Sequence, residues 1–374
     1  MHNDFLILAD IKRNEHLMKT EELFVTQKSE WFIDFANHFR TICEHIQKLQ
    51  KDSILPTISY LDYTMLYTNF INRQYTADVI VYGDKNYLDK NQHLIGSYDI
   101  SYLFTYFDKL WDDLINLKRH YIKQATAKEV TAFMLEEVSS FYSYLATIAR
   151  SAIKKCFDKS HFTCIDLNEE FTVNVGDYMA KTETVYMEKK NKNANRLAEW
   201  FEQRLIGKYI FGDYSGLDFS DRAFMNTDFR YAIFQGSTLK NTNFEGSSLI
   251  GVNFRNANIE GCCFNNCSIH EADFYCAKLN GASFINARAR VGCADEKEWR
   301  YVGFLPIIFC YADLTNTNFT DTNLSGADFT GADLTGADFT GADLTGANFK
   351  DAVLTGTIFA DAILDGSFRR DMPM

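Results

Sequence analysis

The sequence predicts a two-domain α+β chain. A mainly α-helical first half with room for a small sheet is followed by a solenoid of short parallel strands wound in four-sided circuits. Three observations carry this. Residues 327–348 read ADFTGADLTGADFTGADLTGAN, with a large apolar residue at every fifth place (Phe329, Leu334, Phe339, Leu344, then Phe349). A five-residue period fits neither helix nor strand, and a fixed short period marks a solenoid. Residues 1–194 lack the period and show helical spacing instead.

Within 1–194, apolar residues from Ser29 to Lys51 recur at Trp31, Phe35, Phe39, Ile42, Ile46 and Leu49, the spacing of a helix with one buried stripe. His38 and His45 share a face about 10 Å apart, too far to hold one metal. After Pro56, ISYLDYTMLYTNFI is rich in tyrosine and β-branched residues. YTADVIVYG then reads as a strand closed by Gly83-Asp84, so a small sheet or hairpin fits here. Asp62 and the tyrosines around it fit core packing better than a pocket lining. Ser101–Lys123 is helical again, with Leu103, Phe107, Leu110, Trp111, Leu114, Leu117 and Tyr121 on its stripe. Thr126 and Glu129 form a capping box for a long helix to about Lys155. Phe171–Val175 fits a strand, and MEKKNKNAN at 187–195 a polar loop. Residues 195–208 form a helix ended by Gly207, assigned as the cap that a solenoid end requires.

The repeat frame starts near residue 209 and does not slip. Its central residues are Tyr214, Phe219, Phe224, Phe229, Phe234, Leu239 and so on to Phe284. Small residues hold the second inward place, and Cys262 and Cys267 stand there for Ala. Four quintets, each turning a corner, close a circuit of about twenty residues, and circuits stack as short strands roughly 4.8 Å apart. Asp or Asn suits the bend, by bonding nearby backbone N–H groups, and Gly the tight corner. Phe recurs at every second quintet over 234–284 and again over 309–359, but Phe284 and Phe309 are five quintets apart, an odd number. Either one quintet or three leave the coil, or the Phe columns swap faces. The charged, non-repeating ARARVGCADEKEWRYVGFLPII favours an extruded loop of about fifteen residues near 290–305. The coil is thus divided into 209–289, a loop at 290–308, and 309–368, with a tail at 369–374. In that tail Met372 and Met374, with Phe368, are candidates to cover the last circuit.

These quintets resemble the pentapeptide-repeat family, whose pattern is A(D/N)LXX, over the framed C-terminal part of the chain. The resemblance implies a right-handed quadrilateral β-helix, and no catalytic activity for most members. It also implies that a type II topoisomerase is a partner to consider, since the best understood members protect those enzymes by mimicking DNA. Some members dimerise through the C-terminal end, so a homodimer there is an expectation.

The 374-residue chain carries a net charge of −12, which argues against direct nucleic-acid binding. From Tyr311 to Gly366 nine aspartates face one base, Lys350, a net −8. On a twenty-residue circuit only Asp313 and Asp333 stack acid on acid; the other acids alternate with Asn, which limits repulsion. That mixing favours aspartates as corner residues over a surface shaped for a basic partner. The candidate interaction surface is Asp313, Asp328, Asp333, Asp338 and Asp343, with Glu296, Glu298, Trp299 and Arg300 of the loop. Nine cysteines show no CxxC pair, and neither a signal peptide nor a run of eighteen apolar residues is present, so a reduced, soluble, cytoplasmic protein away from membranes is expected. Cys262, Cys263 and Cys267 cluster, but two point inward and one outward, which does not suit a metal.

No GxGxxG, P-loop, HExxH or GxSxG motif is present, and His93, His120 and His161 lack readable partners. Neither an enzyme nor a cofactor is expected. Three functions compete. The first is a non-catalytic protein–protein scaffold with a rigid acidic coil. The second is a DNA-mimicking gyrase modulator; the long first domain and the bases Arg222, Arg230, Lys240, Arg255 and Lys278 weigh against it. The third is an enzyme or accessory of a peptide-modifying pathway, with a site involving the N-terminal domain.

Overall fold

A computed structural model describes residues 4–83, 92–121, 125–156, 165–178, 182–189, 209–291 and 304–364. The described chain falls into two compact units, each with its own core.

In the first unit the elements run α1 (Asp4–Lys51), β1 (Ile58–Met65), α2 (Tyr67–Ile71), β2 (Thr76–Tyr82), β3 (His93–Asp99), a 3₁₀ turn (Ser101–Phe104), α3 (Thr105–His120), α4 (Ala127–Cys156), β4 (Leu167–Asp177) and β5 (Thr182–Lys189). α1 is already helical at Asp4, far upstream of the start expected at Ser29. Its early buried side includes His16 and Thr20. His16 Nε2 lies 3.0 Å from Asp113 Oδ2 on α3, which satisfies a polar group on the inner stripe. The capping box closes as expected: Thr126 N–H donates to Glu129 Oε2 at 2.6 Å, and Glu129 N–H to Thr126 Oγ1 at 3.3 Å.

The sheet is larger than a hairpin. Its order is β3-β2-β1-β4-β5, and only the β1–β4 pair is parallel. A parallel pair needs a long crossover, and the chain from β2 through α4 supplies it. β5 includes residues 187–189, which read as loop because the strand is charged; charge is common on edge strands. Aromatic rings fill the core, with Phe35 5.0 Å from Tyr63 and Tyr75 stacked on Phe104 at 4.6 Å. On the sheet, Asp62 of β1 is fully buried. Its Oδ1 accepts from Asn174 Nδ2 at 2.7 Å, and Asn174 Oδ1 accepts from Thr184 Oγ1 at 2.8 Å.

In the second unit every fifth residue from Asp213 to Arg288, and again from Ile308 to Asp343, pairs in parallel with a residue further along the coil. Asp213 pairs with Ile233 and Asn318 with Asp338, so four quintets make a circuit. Main-chain bonds run along the stack, Phe309 N–H to Asp328 O at 2.7 Å and Asp328 N–H to Ile307 O at 3.0 Å among them. The large central side chains from Phe229 to Leu344 form one continuous buried column. Each such ring removed from water contributes roughly 1.5–3 kcal/mol. The small inward residues are buried too, including Cys262 and Cys267, whose thiols donate to Leu239 O and Phe244 O at 2.7 and 3.0 Å.

At four consecutive pairs the step lengthens from four quintets to seven: Asp273–Ile308, Lys278–Asp313, Ser283–Asn318 and Arg288–Asn323. Three quintets of chain therefore leave the circuit between Arg288 and Ile308. The Phe columns continue without exchanging faces, since Phe274 stacks on Phe309 and Phe284 on Phe319, each at 5.0 Å. Val291 N–H still bonds Ser325 O at 3.3 Å, and Ile307 is buried in the column. Residues 292–303, the expected cap helix at 195–208 and the tail beyond Leu364 lie outside the described residues.

Candidate interaction surface

The five candidate aspartates of the coil share one local geometry, because Thr follows each of them two places on. The Oδ1 of Asp313 accepts from Thr315 N–H at 3.2 Å and Thr315 Oγ1 at 2.8 Å. For Asp333 with Thr335 the distances are 3.0 and 2.6 Å, and for Asp338 with Thr340 they are 2.9 and 2.6 Å. Asp343 with Thr345 gives 3.1 and 2.7 Å. At Asp328 the Thr330 pair is joined by Asn348 Nδ2 at 3.1 Å. One carboxylate oxygen thus builds the corner, the short-range side-chain-to-backbone bond favoured in turns. Partial burial pushes the Asp328 carboxyl up, but the bonds from Thr330, Cys310 and Asn348 outweigh it and hold it below the usual range.

The pairing fixes where the charges go. Asp313 pairs with Asp333, Asn318 with Asp338, Asn323 with Asp343, and Asp328 with Asn348. The four acids Asp328, Asp333, Asp338 and Asp343 therefore stand one on each wall of a single circuit. They form a girdle, not a face, and only Asp313 lies directly below another acid. Glu296, Glu298, Trp299 and Arg300 lie outside the described residues.

Two features of the coil were not read from the sequence. Val353, Ile358 and Ile363 occupy the places that Asp333, Asp338 and Asp343 hold one circuit earlier, and are 47%, 48% and 58% exposed. An apolar residue in an Asp or Asn place was the available signal. The second is an aromatic ledge. The Arg255 guanidinium lies 4.2 Å from the centre of the Tyr275 ring, and Tyr275 meets Tyr311 edge to face at 5.8 Å. Their adjacency depends on the lengthened step, which the sequence left open.

Among the described residues no group of three His, Cys, Asp or Glu side chains could hold a metal ion. Cys262 and Cys267 are inward and buried while Cys263 is half-buried on the wall. Burial pushes both inward thiols up to about 12, which disfavours the reactive thiolate. His38 packs against Tyr63 and Tyr98, and His45 Nδ1 lies 3.1 Å from Ile95 O. No helix among the described residues is long and apolar enough to cross a membrane.

The family profile described as pentapeptide repeats matches eight copies, at residues 223–261, 253–288, 308–336 and 332–368. A search of curated proteins returns no match. Among solved structures the chain is similar to HetL, a pentapeptide repeat protein involved in heterocyst differentiation regulation from the cyanobacterium Nostoc sp. strain PCC 7120. Identity is 22%, over 47% of this chain and 96% of that one, with a TM-score of 0.25. It is similar to Rfr23 from the cyanobacterium Cyanothece 51142 at 17% identity, over 46% and 98%, with a TM-score of 0.25. It is also similar to full-length QnrB1, a plasmid-mediated fluoroquinolone resistance protein, at 20% identity, over 42% and 96%, with a TM-score of 0.20.

Proposed function

We propose, from the premise that residues 223–288 and 308–368 of this chain are pentapeptide repeats, that the protein is a non-catalytic interaction protein whose stiff coil offers carboxylates to a basic protein partner. The coil is taken to be the right-handed quadrilateral β-helix that the family resemblance implies, and the protein to work in the cytoplasm. One observation supports the reading above others: each girdle aspartate builds its corner through one oxygen, so its negative charge is not needed for the fold. Asn does the same work at Asn318 and Asn323, each accepting from the residue two places on. The charge is then surplus to structure and available for binding.

The test uses that separation. Asp328, Asp333, Asp338 and Asp343 are all changed to Asn, and both proteins are used in cross-linked capture from the native host. The variant should fold as the parent does and lose the captured partner. Capture unchanged by the four substitutions would remove the acids from the interface.

A homodimer through the C-terminal end is part of this reading. Val353, Ile358 and Ile363 are exposed and alternate along the chain with partly buried Leu354, Phe359 and Leu364, apolar surface on the last described circuit. Sedimentation should show the dimer falling to monomer when the three outward residues become Asn. A type II topoisomerase as the partner rests on the family resemblance alone. Acids that circle the coil do not reproduce the two phosphate rows of a duplex, so this reading ranks second. A gyrase supercoiling assay with parent and four-Asn variant decides it. The third reading, an enzyme or accessory role for the first unit, meets a buried Asp62–Asn174 pair where a polar pocket was considered.

A further inference from the structure

We propose that the corner at Tyr311 receives an arginine side chain from a basic protein partner. This rests on the interaction reading above and names the chemistry that would be recognised.

The coil already holds an arginine in this way. One wall carries Arg255, then Tyr275 a circuit on, then Cys310 and Tyr311 a further circuit on. The Arg255 guanidinium lies 4.2 Å from the Tyr275 ring centre, and its Nη1 donates to Asp273 Oδ2 at 2.9 Å. A ring below the cation and a carboxylate beside it satisfy the two demands of a guanidinium, a π-face and an oxygen acceptor. Tyr311 repeats the ring. It touches Tyr275 edge to face and is 58% exposed.

Carboxylates flank it. Asp313 is two residues on, around the corner on the next wall. Asp328 stands one circuit on along the same wall, paired with Ile308. Asp351 stands in the Tyr311 corner two circuits on, with Gly331 between them. Because Gly331 has no side chain, the Cδ1–Cε1 edge of the ring can lie against it while the residue stays exposed. No such aromatic corner is needed by the fold: Asn226, Asn241 and Asn316 hold the equivalent place under Gly246, Gly261 and Gly336. Lys278 pairs with Asp313 and Lys350 precedes Asp351, so the acid nearest in register without a neighbouring lysine is Asp328. An exposed tyrosine beside it matches a partner that presents arginine, and tyrosine is among the residues enriched at binding hot spots. Lysine fits less well, since it lacks the planar face that stacks.

The test is fluorescence anisotropy of labelled hexa-arginine and hexa-lysine at low salt, with the full chain and two variants. Tyr311→Asn should fold, because Asn226, Asn241 and Asn316 already hold the same corner under a glycine. It should bind hexa-arginine about two- to five-fold more weakly than the parent. Tyr311→Phe, which keeps the ring, should match the parent. The preference for arginine over lysine should shrink in Tyr311→Asn. Equal binding of hexa-arginine by parent and Tyr311→Asn would overturn the inference and leave the acidic girdle as the attracting surface. Binding of neither peptide by the parent would remove both this inference and the basic-partner reading.

Discussion

The ring of Tyr311 lies across Gly331 of the next circuit, its Cε1 2.6 Å from where a β-carbon at 331 would stand. The same arrangement joins Tyr231 to Gly251 and Asn316 to Gly336. At these corners the side chain of one circuit fills the space a β-carbon would take on the glycine above it, whereas Phe211 lies under Tyr231 and the two rings stack at 5.0 Å instead. Gly236 has the same φ as Gly331, +66°, but nothing within 4 Å of its missing β-carbon. Gly236→Ala should cost about 1–2 kcal/mol from the left-handed backbone alone. Gly331→Ala should cost roughly 1 kcal/mol more, because the ring must also move aside. Chemical denaturation of the two variants gives the difference; equal midpoints would mean that the ring gives way freely.

The corner bonds predict an asymmetry at Asp333. Asp333→Asn keeps the acceptor for Thr335 and relieves the like-charge stack with Asp313, so stability should hold or rise by a few tenths of a kcal/mol at low salt. Asp333→Ala removes both bonds and should cost about 0.5–1.5 kcal/mol. Thermal unfolding at low and high salt checks both, since any gain in Asp333→Asn should fade as salt screens the pair.

The coil was legible because its period is also its fold. Once Phe329 and Leu334 set the frame, Cys262 and Cys267 fell in Ala places and Asp338 fell above Asn318. The interval from Phe284 to Phe309 demanded that residues leave or faces swap, and only the observed seven-quintet step decides between them. The first unit offered less. β5 carries Glu183, Glu188 and Lys189, which mask strand periodicity, and the inner stripe of α1 uses His16, whose partner Asp113 is remote in sequence. The Tyr311 ledge was hidden for a related reason: Tyr275 and Tyr311 are neighbours only after the excursion is subtracted.

In the first unit, Asn174 bridges Asp62 and Thr184 within a buried row. Asn174→Ala should leave the Asp62 carboxyl without that donor and cost about 2–4 kcal/mol, in the range of a broken buried polar pair. Urea unfolding measures it. A loss below about 0.5 kcal/mol, no larger than an ordinary surface substitution, would show that neighbouring groups reorganise around Asp62.

His38 gives the first unit a pH dependence. Burial holds its imidazole below the ordinary value of 6.5, partly offset by Asp34. The folded state then binds its proton less readily than the unfolded chain. The stability linked to this group is full above pH 6.5 and is lost as pH falls towards the depressed value. Glu137, whose carboxyl is pushed up by burial, acts in the opposite sense at lower pH. The comparison is therefore parent against His38→Phe between pH 7.5 and 5.5. The parent should lose stability faster on acidification; parallel curves would place His38 outside the linkage.

Corners that accept Asp and Asn alike have an evolutionary consequence. Swapping one for the other rewrites the electrostatic pattern of a wall while every backbone bond and every stacked ring stays put. Such a coil can change its surface charge by exchanging one oxygen for one nitrogen at a time, without passing through an unstable intermediate.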